Sequence, residues 1–383
     1  MRLRIHFSTC YLLLLFGQNL LSAQTAGWHG QVSGWIAGNP DNSPISQVGL
    51  RYIPDISIEK PPGSELNTDA EISLNTYAAG NFYSDNNTEA EAKVKPYRIW
   101  LRFSTSRFEA RLGLQKINFG PATLFRSMMW FDRIDSRDPL QLTDGVYALL
   151  LRYYFQNNTN IWLWGLYGNN KRKGWESVPS KKNSTEYGGR MQIPIFTGEM
   201  GMSYHHRQLN FEPTLHLNFP IRDSLSVSEN RVGVDGKWDI GVGLWFEGAL
   251  IHKNTVTPEM KYQRFWTTGI DYTFNLGNGL YALGEYFNYA SNDKSFIQGK
   301  GISFSALLLN YPLGLLDNVS GIFYYQWNNG ALYRLSRWQR QYDNWCFYLI
   351  LFWNPEERGL NPGQTENGIF SGKGFQCMVV FNH

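Results

Sequence analysis

Past residue 23 this chain has no apolar run of the roughly 20 residues that a membrane helix needs. That excludes a helical membrane protein and says nothing against strands. Cysteine is scarce: Cys10, Cys346 and Cys377 make no disulfide framework. Cys10 lies ahead of most of an apolar leader, so it is not placed for lipid attachment, and no Cys-x-x-Cys-His is present for covalent haem. A strong excess of either charge is also missing, with 35 basic and 32 acidic residues. A binder of phosphate backbones usually carries a basic excess, so nucleic acid is not an expected partner. No glycine-rich phosphate loop follows a parallel strand, no low-complexity segment stands out, and no cofactor is called for.

What is present begins with a leader. Met1-Arg-Leu-Arg4 is basic, Tyr11–Phe16 is apolar, and Leu21-Ser-Ala23 ends in a small residue. That pattern reads as a cleaved secretion signal over residues 1–23, with the exported domain at 24–383. Losing Arg2 and Arg4 takes the formal charge from +3 to +1. The exported part is rich in aromatics, 16% over the whole chain, yet its mean hydropathy is modest. Large rings in a moderately polar chain suit a wall that is oily on one side and wet on the other.

Side chains of a strand alternate faces, so each face can be read by parity. In 97–103, Tyr97, Ile99, Leu101 and Phe103 oppose Arg98, Trp100 and Arg102. In 107–118, Phe108, Ala110, Leu112 and Leu114 oppose Arg107, Glu109, Arg111 and Gln115. In 145–155, Tyr147, Leu149, Leu151, Tyr153 and Phe155 oppose Arg152, and in 240–252 Glu247 opposes Val242, Leu244, Phe246 and Leu250. Further segments of this kind are 28–38, 47–59, 69–83, 160–168, 186–194, 198–208, 229–237, 261–275, 279–290, 301–311, 318–328, 331–340, 344–354 and 369–382. The expected fold is all-β: a transmembrane antiparallel up-and-down β-barrel of about 16–18 strands in the bacterial outer membrane. Inside lipid only a closed sheet satisfies every backbone N–H and C=O.

Loop lengths support the same reading. Turns at 104–106, 156–159, 236–239 and 276–278 are tight and rich in Asn, Asp, Gly or Ser, while 119–144, 169–185, 209–228, 291–300 and 355–368 are long. With odd strands running outward, each long connection falls outside and each tight turn inside. A soluble β-sandwich has no reason to sort its loops so. The short connection 328–330 departs from the pattern. The final segment Gly374–Phe381 alternates and nearly ends on an aromatic, as a strand read by barrel-assembly machinery does, although Asn382 and His383 follow.

The longest connection, 119–144, is too apolar for a solvated tip: Leu124, Phe125, Met128, Met129, Trp130, Phe131 and Ile134 need burial. It is expected to fold down into the lumen. It carries Asp132, Asp135, Asp138 and Asp144, and the wall would present Arg98, Arg102, Arg107, Arg111, Arg152 and Arg190. Opposed charges across a narrow aqueous pore make a transverse field that selects ions and orients dipolar solutes. Lys171, Arg172, Lys173, Lys181 and Lys182 in 169–185 suggest a basic mouth, for anion capture or for lipopolysaccharide phosphates.

The run Leu112-Gly-Leu-Gln115, then Phe119-Gly120, then an aromatic stretch reaching Asp135-Ser-Arg-Asp-Pro139, resembles bacterial outer-membrane porins. It is most similar to the alginate-export and related porin-like groups, where a Gly-x-Gln strand precedes a Gly-containing inward loop. The local match spans about residues 107–155, and the chain is shorter than typical polysaccharide exporters. The resemblance implies passive transport of small hydrophilic or anionic solutes, with lipid and lipopolysaccharide around the barrel.

Two other classes compete. One is a surface-complex subunit or receptor barrel with an occluded lumen. The other is a barrel hydrolase, for which His205, His206 and His216 are the available imidazoles. Adjacent residues of a strand point to opposite faces, so His205 and His206 cannot share a site, and no metal centre is expected of them.

Overall fold

The computed structural model describes residues 25–41, 43–59, 66–210, 227–254, 261–295, 300–355 and 370–383. The leader, His216 and most of 209–228 and 355–368 lie outside the described residues. Among the described residues eighteen strands follow one another: β1 (Thr25–Gly38), β2 (Ser46–Glu59), β3 (Asn67–Phe82), β4 (Thr88–Ser104), β5 (Phe108–Gln115), β6 (Val146–Tyr154), β7 (Asn160–Tyr167), β8 (Thr185–Ile195), β9 (Gly198–Leu209), β10 (Val227–Asp239), β11 (Gly243–Lys253), β12 (Tyr262–Phe274), β13 (Leu280–Asn292), β14 (Lys300–Pro312), β15 (Asp317–Gln326), β16 (Ala331–Gln341), β17 (Trp345–Trp353) and β18 (Lys373–Asn382). Each pairs antiparallel with its neighbours in sequence, and β1 closes on β18 from Gln31↔Asn382 to Gly38↔Phe375. The result is an up-and-down barrel of the outer-membrane type.

The two faces sort as the alternation requires. On β6, Tyr147, Leu149 and Tyr153 point outward and are exposed, whereas Val146, Ala148 and Leu150 are buried inside. Ile99, Phe103, Phe108 and Leu112 likewise face out, while Arg98 and Glu109 are buried inside. No outward helix is needed: among the described residues none is long and apolar enough to cross a membrane.

The expected segments 107–118 and 369–382 are strand only over Phe108–Gln115 and Lys373–Asn382, and two larger departures concern β4 and β10. The segment expected at 97–103 is the inner part of β4, which starts at Thr88. Residues 88–96 alternate Glu or Lys with small residues, so they lack the large apolar side chains that mark a lipid-facing strand. They pair with β3 as a ribbon that rises above the wall; β5 joins β4 only from Ile99↔Leu114. Glu89, Glu91, Lys93, Lys95 and Pro96 line that unpaired stretch, which discourages another strand from adding to it. The second difference is the turn expected at 236–239. There β10 continues to Asp239 and the turn falls at 240–242, where Asp239 accepts the Gly241 N–H and Gly241 takes φ +92°. Gly236 serves the strand interior instead, because a Cβ there would lie 2.4 Å from the Trp238 ring.

Candidate functional site: a lumen crossed by two loops

β5 is short because the chain leaves the wall after Gln115. Its carboxamide Nε2 donates to the carbonyls of Arg111 and Ala148, a side-chain substitute for the next ladder bonds. The connection 116–145 then enters the lumen in two parts. Its first part is buried: Ile117, Phe119, Phe125, Met128, Trp130 and Phe131 pack with Leu150, Trp164, Phe265, Phe287, Phe304 and Tyr324 of the inner wall. Burying side chains of this size stabilises by about 1.5–3 kcal/mol each.

Backbone polar groups in such a place need partners. Two wall carboxylates supply them. Glu247 on β11 accepts the N–H groups of Ala122 (2.9 Å) and Met128 (3.0 Å). Glu285 on β13 accepts those of Thr123, Leu124 and Phe125 at 2.7, 2.9 and 2.7 Å. On β12, the Thr267 hydroxyl donates to the Phe125 carbonyl and bonds Ser127. Gly120 makes the approach possible: it has φ +91°, and a Cβ would strike the Glu247 carboxylate.

The second part, 134–142, stays partly open to water. It crosses the lumen as a strap. Ser136 bonds the Tyr324 hydroxyl on β15, Leu140 packs against the buried cluster of Trp35, Ala79, Cys346, Met378 and Val380, and Thr143 returns to β4 by accepting from Arg98.

The connection 168–184 also enters the barrel. Trp175 stacks on Phe287 and donates to the Arg126 carbonyl of the first loop, and Gly174 N–H donates to the Asp132 carbonyl. Beneath it lies a buried ionic lattice: Glu176 holds Arg207 and Arg231, Glu229 holds Arg207, Arg231 and Lys253, and Glu186 holds Lys173. Lys173 therefore belongs to the interior, not to the basic mouth, while Lys171, Arg172, Lys181 and Lys182 are exposed.

The ten charged residues singled out from sequence do not meet at one level. Asp132 is buried against Arg126 of its own loop, and Asp135 pairs with Arg137 two residues on. Asp144 pairs with Lys95 at the outer end. Arg190 is buried against Asp235. Arg102 pairs with Asp69, while Arg111 and Arg152 share Glu109. These last three stack on indoles, Arg111 and Arg102 on Trp100 and Arg152 on Trp162. Arg107 is exposed in the inner turn 105–107.

Asp138 is different. It has no ion-pair partner within bonding distance among the described residues; it accepts the N–H groups of Leu140 and Leu142 and lies within electrostatic reach of Arg51 on β2 and Arg337 on β16. Arg51 in turn lies over Trp35 and Tyr77, at 5.4 and 5.2 Å, two rings that themselves stack at 5.7 Å. Burial pushes the Asp138 carboxyl above the ordinary carboxylate range, against those two N–H groups. For Asp135 burial acts the same way, but the Arg137 guanidinium outweighs it and holds the carboxyl low. Sequence reading passed over Arg51, Arg337 and Glu285; parity within their strands was the available signal for an inward position.

His205 is buried with both ring nitrogens engaged. Trp164 Nε1 can only donate, so Nδ1 accepts and the proton sits on Nε2, facing Glu186. His206 lies on the other face, bonded to Asn230.

No family model matches this chain, and no curated protein does. Solved structures do match in shape. OccAB4 of Acinetobacter baumannii aligns with a TM-score of 0.57 at 8% identity, over 94% of this chain and 98% of that one. OccD3 (OpdP) of Pseudomonas aeruginosa gives 0.57 at 8%, over 94% and 91%. OmpT of Vibrio cholerae, an outer membrane protein in its trimer form, gives 0.53 at 10%, over 94% and 100%. The similarity spans nearly the full length of each partner, and at such identities it speaks to architecture alone: the chain shares the closed antiparallel barrel fold of these structures.

Proposed function

We propose that this barrel is a passive channel of the bacterial outer membrane for small hydrophilic solutes, with a preference for anions. The strap 134–142 forms its neck. The observation that carries this reading is the position of Asp138: an acid on a partly exposed strap, within electrostatic reach of Arg51 on β2 and Arg337 on β16. Opposed charges over a narrow water column select by sign. Three further arginines on the inner half, stacked on Trp100 and Trp162, are already paired with Asp69 and Glu109 and line the lumen as polar wall. Lipid and lipopolysaccharide surround the outer face, and barrel-assembly machinery inserts it. Hydrolysis has no support at His205, whose two nitrogens are already occupied.

The two inward loops also favour a second reading, a receptor or surface-complex barrel with an occluded lumen. Planar-bilayer recording of the refolded chain decides. Stepwise single-channel currents, larger after excision of 122–140, are expected of the channel. Silent bilayers from correctly folded barrels would instead support the receptor.

A further inference from the structure

We propose that a notch in the outer wall between β4 and β6 binds a small amphipathic organic anion. The notch exists because β5 quits the wall at Gln115, opposite Val146, while β4 continues outward from Ile99 with no neighbour on that side. Between them opens a cavity of about 190 Å³. An apolar cavity of roughly 150 Å³ takes up benzene, so the space suits one substituted ring or a short alkyl body.

The lining has two characters. Leu114, Phe131 and Val146 form a buried apolar floor. Arg133, Lys171 and Arg172 stand exposed at the rim, and none has a carboxylate partner among the described residues. The one acid in the lining, Asp144, is already neutralised by Lys95. The mouth is also held in shape: Asn169 bonds both the N–H and the carbonyl of Tyr147, closing the end of β6 where a strand partner is missing. An apolar floor below an uncompensated cationic rim recognises a molecule with an apolar body and one anionic head. A free metal cation satisfies neither feature, and a neutral sugar leaves the cationic rim without a counter-charge.

Binding here does not depend on solute passing the neck, so it is separable from the channel reading. The test is calorimetric titration of the full chain in detergent with phenylacetate and phenyl phosphate, beside neutral phenylacetamide and cationic phenethylamine. Saturable binding of both anions is expected, about tenfold weaker for the amide, as loss of a partly exposed charge contact allows. The double variant R133Q/R172Q should weaken phenylacetate by about the same factor, and R133K/R172K should restore it. Both positions are exposed, so neither variant threatens the fold. K182Q, outside the notch, should change nothing. Equal affinity for the amide, indifference to R133Q/R172Q, or no saturable binding of either anion would each overturn the site, even in a chain that conducts.

Discussion

The Glu285 carboxylate accepts the Phe125 N–H at 2.7 Å, although the two residues are 160 positions apart. That bond and its neighbours turn an anionic side chain of the wall into a socket for the loop backbone. Glutamine at 285 would remove the charge and point N–H groups at other N–H groups. E285Q is expected to cost roughly 1.5–3 kcal/mol, the range for hydrogen bonds to charged groups. Thermal unfolding should fall, and single-channel current should become larger and noisier as the strap loosens. A variant with unchanged melting and unchanged current would remove the anchoring role.

Selectivity should respond to the neck with opposite signs. R51Q and R337Q remove positive charge and are expected to move the reversal potential in a KCl gradient towards cations. D138N should move it towards anions. A shift of the same sign in all three variants is incompatible with a transverse field across the strap.

Asp138 also gives a pH dependence with a defined sign. Burial raises its carboxyl in the folded chain. A group with a raised folded pKa binds its proton more tightly in the native state. Its contribution to stability is therefore present below the unfolded value and is lost as pH climbs through the folded one. D138N should accordingly be more thermostable than the parent at about pH 7.5, with the gap closing at about pH 4, near the ordinary Asp value. Tryptophan fluorescence melts at the two pH values measure this; a gap that ignores pH would assign the effect to something other than the carboxyl.

Gly174 joins the two inward loops. It has φ +43°, and a Cβ there would sit 1.7 Å from the Met129 carbonyl oxygen. G174A should therefore lose about 1–2 kcal/mol from backbone conformation alone, with the clash added. Limited proteolysis of the folded protein should then cut within 169–185 faster than in the parent. Equal cleavage rates would mean the second loop does not rest on the first.

The wall was readable from sequence because period-two alternation is local: Tyr147, Leu149 and Tyr153 against Arg152 needs nothing beyond nine residues. The ribbon 88–96 escaped because strand above the membrane has no oily face to announce it. The candidate site was less legible for a different reason. Composition marked 119–144 as needing burial, yet which acid meets which base depends on contacts across the barrel. Asp132 and Asp135 find arginines a few residues away, at Arg126 and Arg137, whereas the bases within electrostatic reach of Asp138 come from β2 and β16. Strand parity does not report such distances.

The long spans between loop and anchor set an order of assembly. Ala122 waits for Glu247, and Ser136 waits for Tyr324, 188 positions later. Until the C-terminal half of the cylinder is in place, the oily residues of 116–145 have no home, and a half-built wall must carry them bare or shielded. Closure of the cylinder and filling of its interior are thus one cooperative event, and the lumen takes its final shape only when the last hairpins arrive.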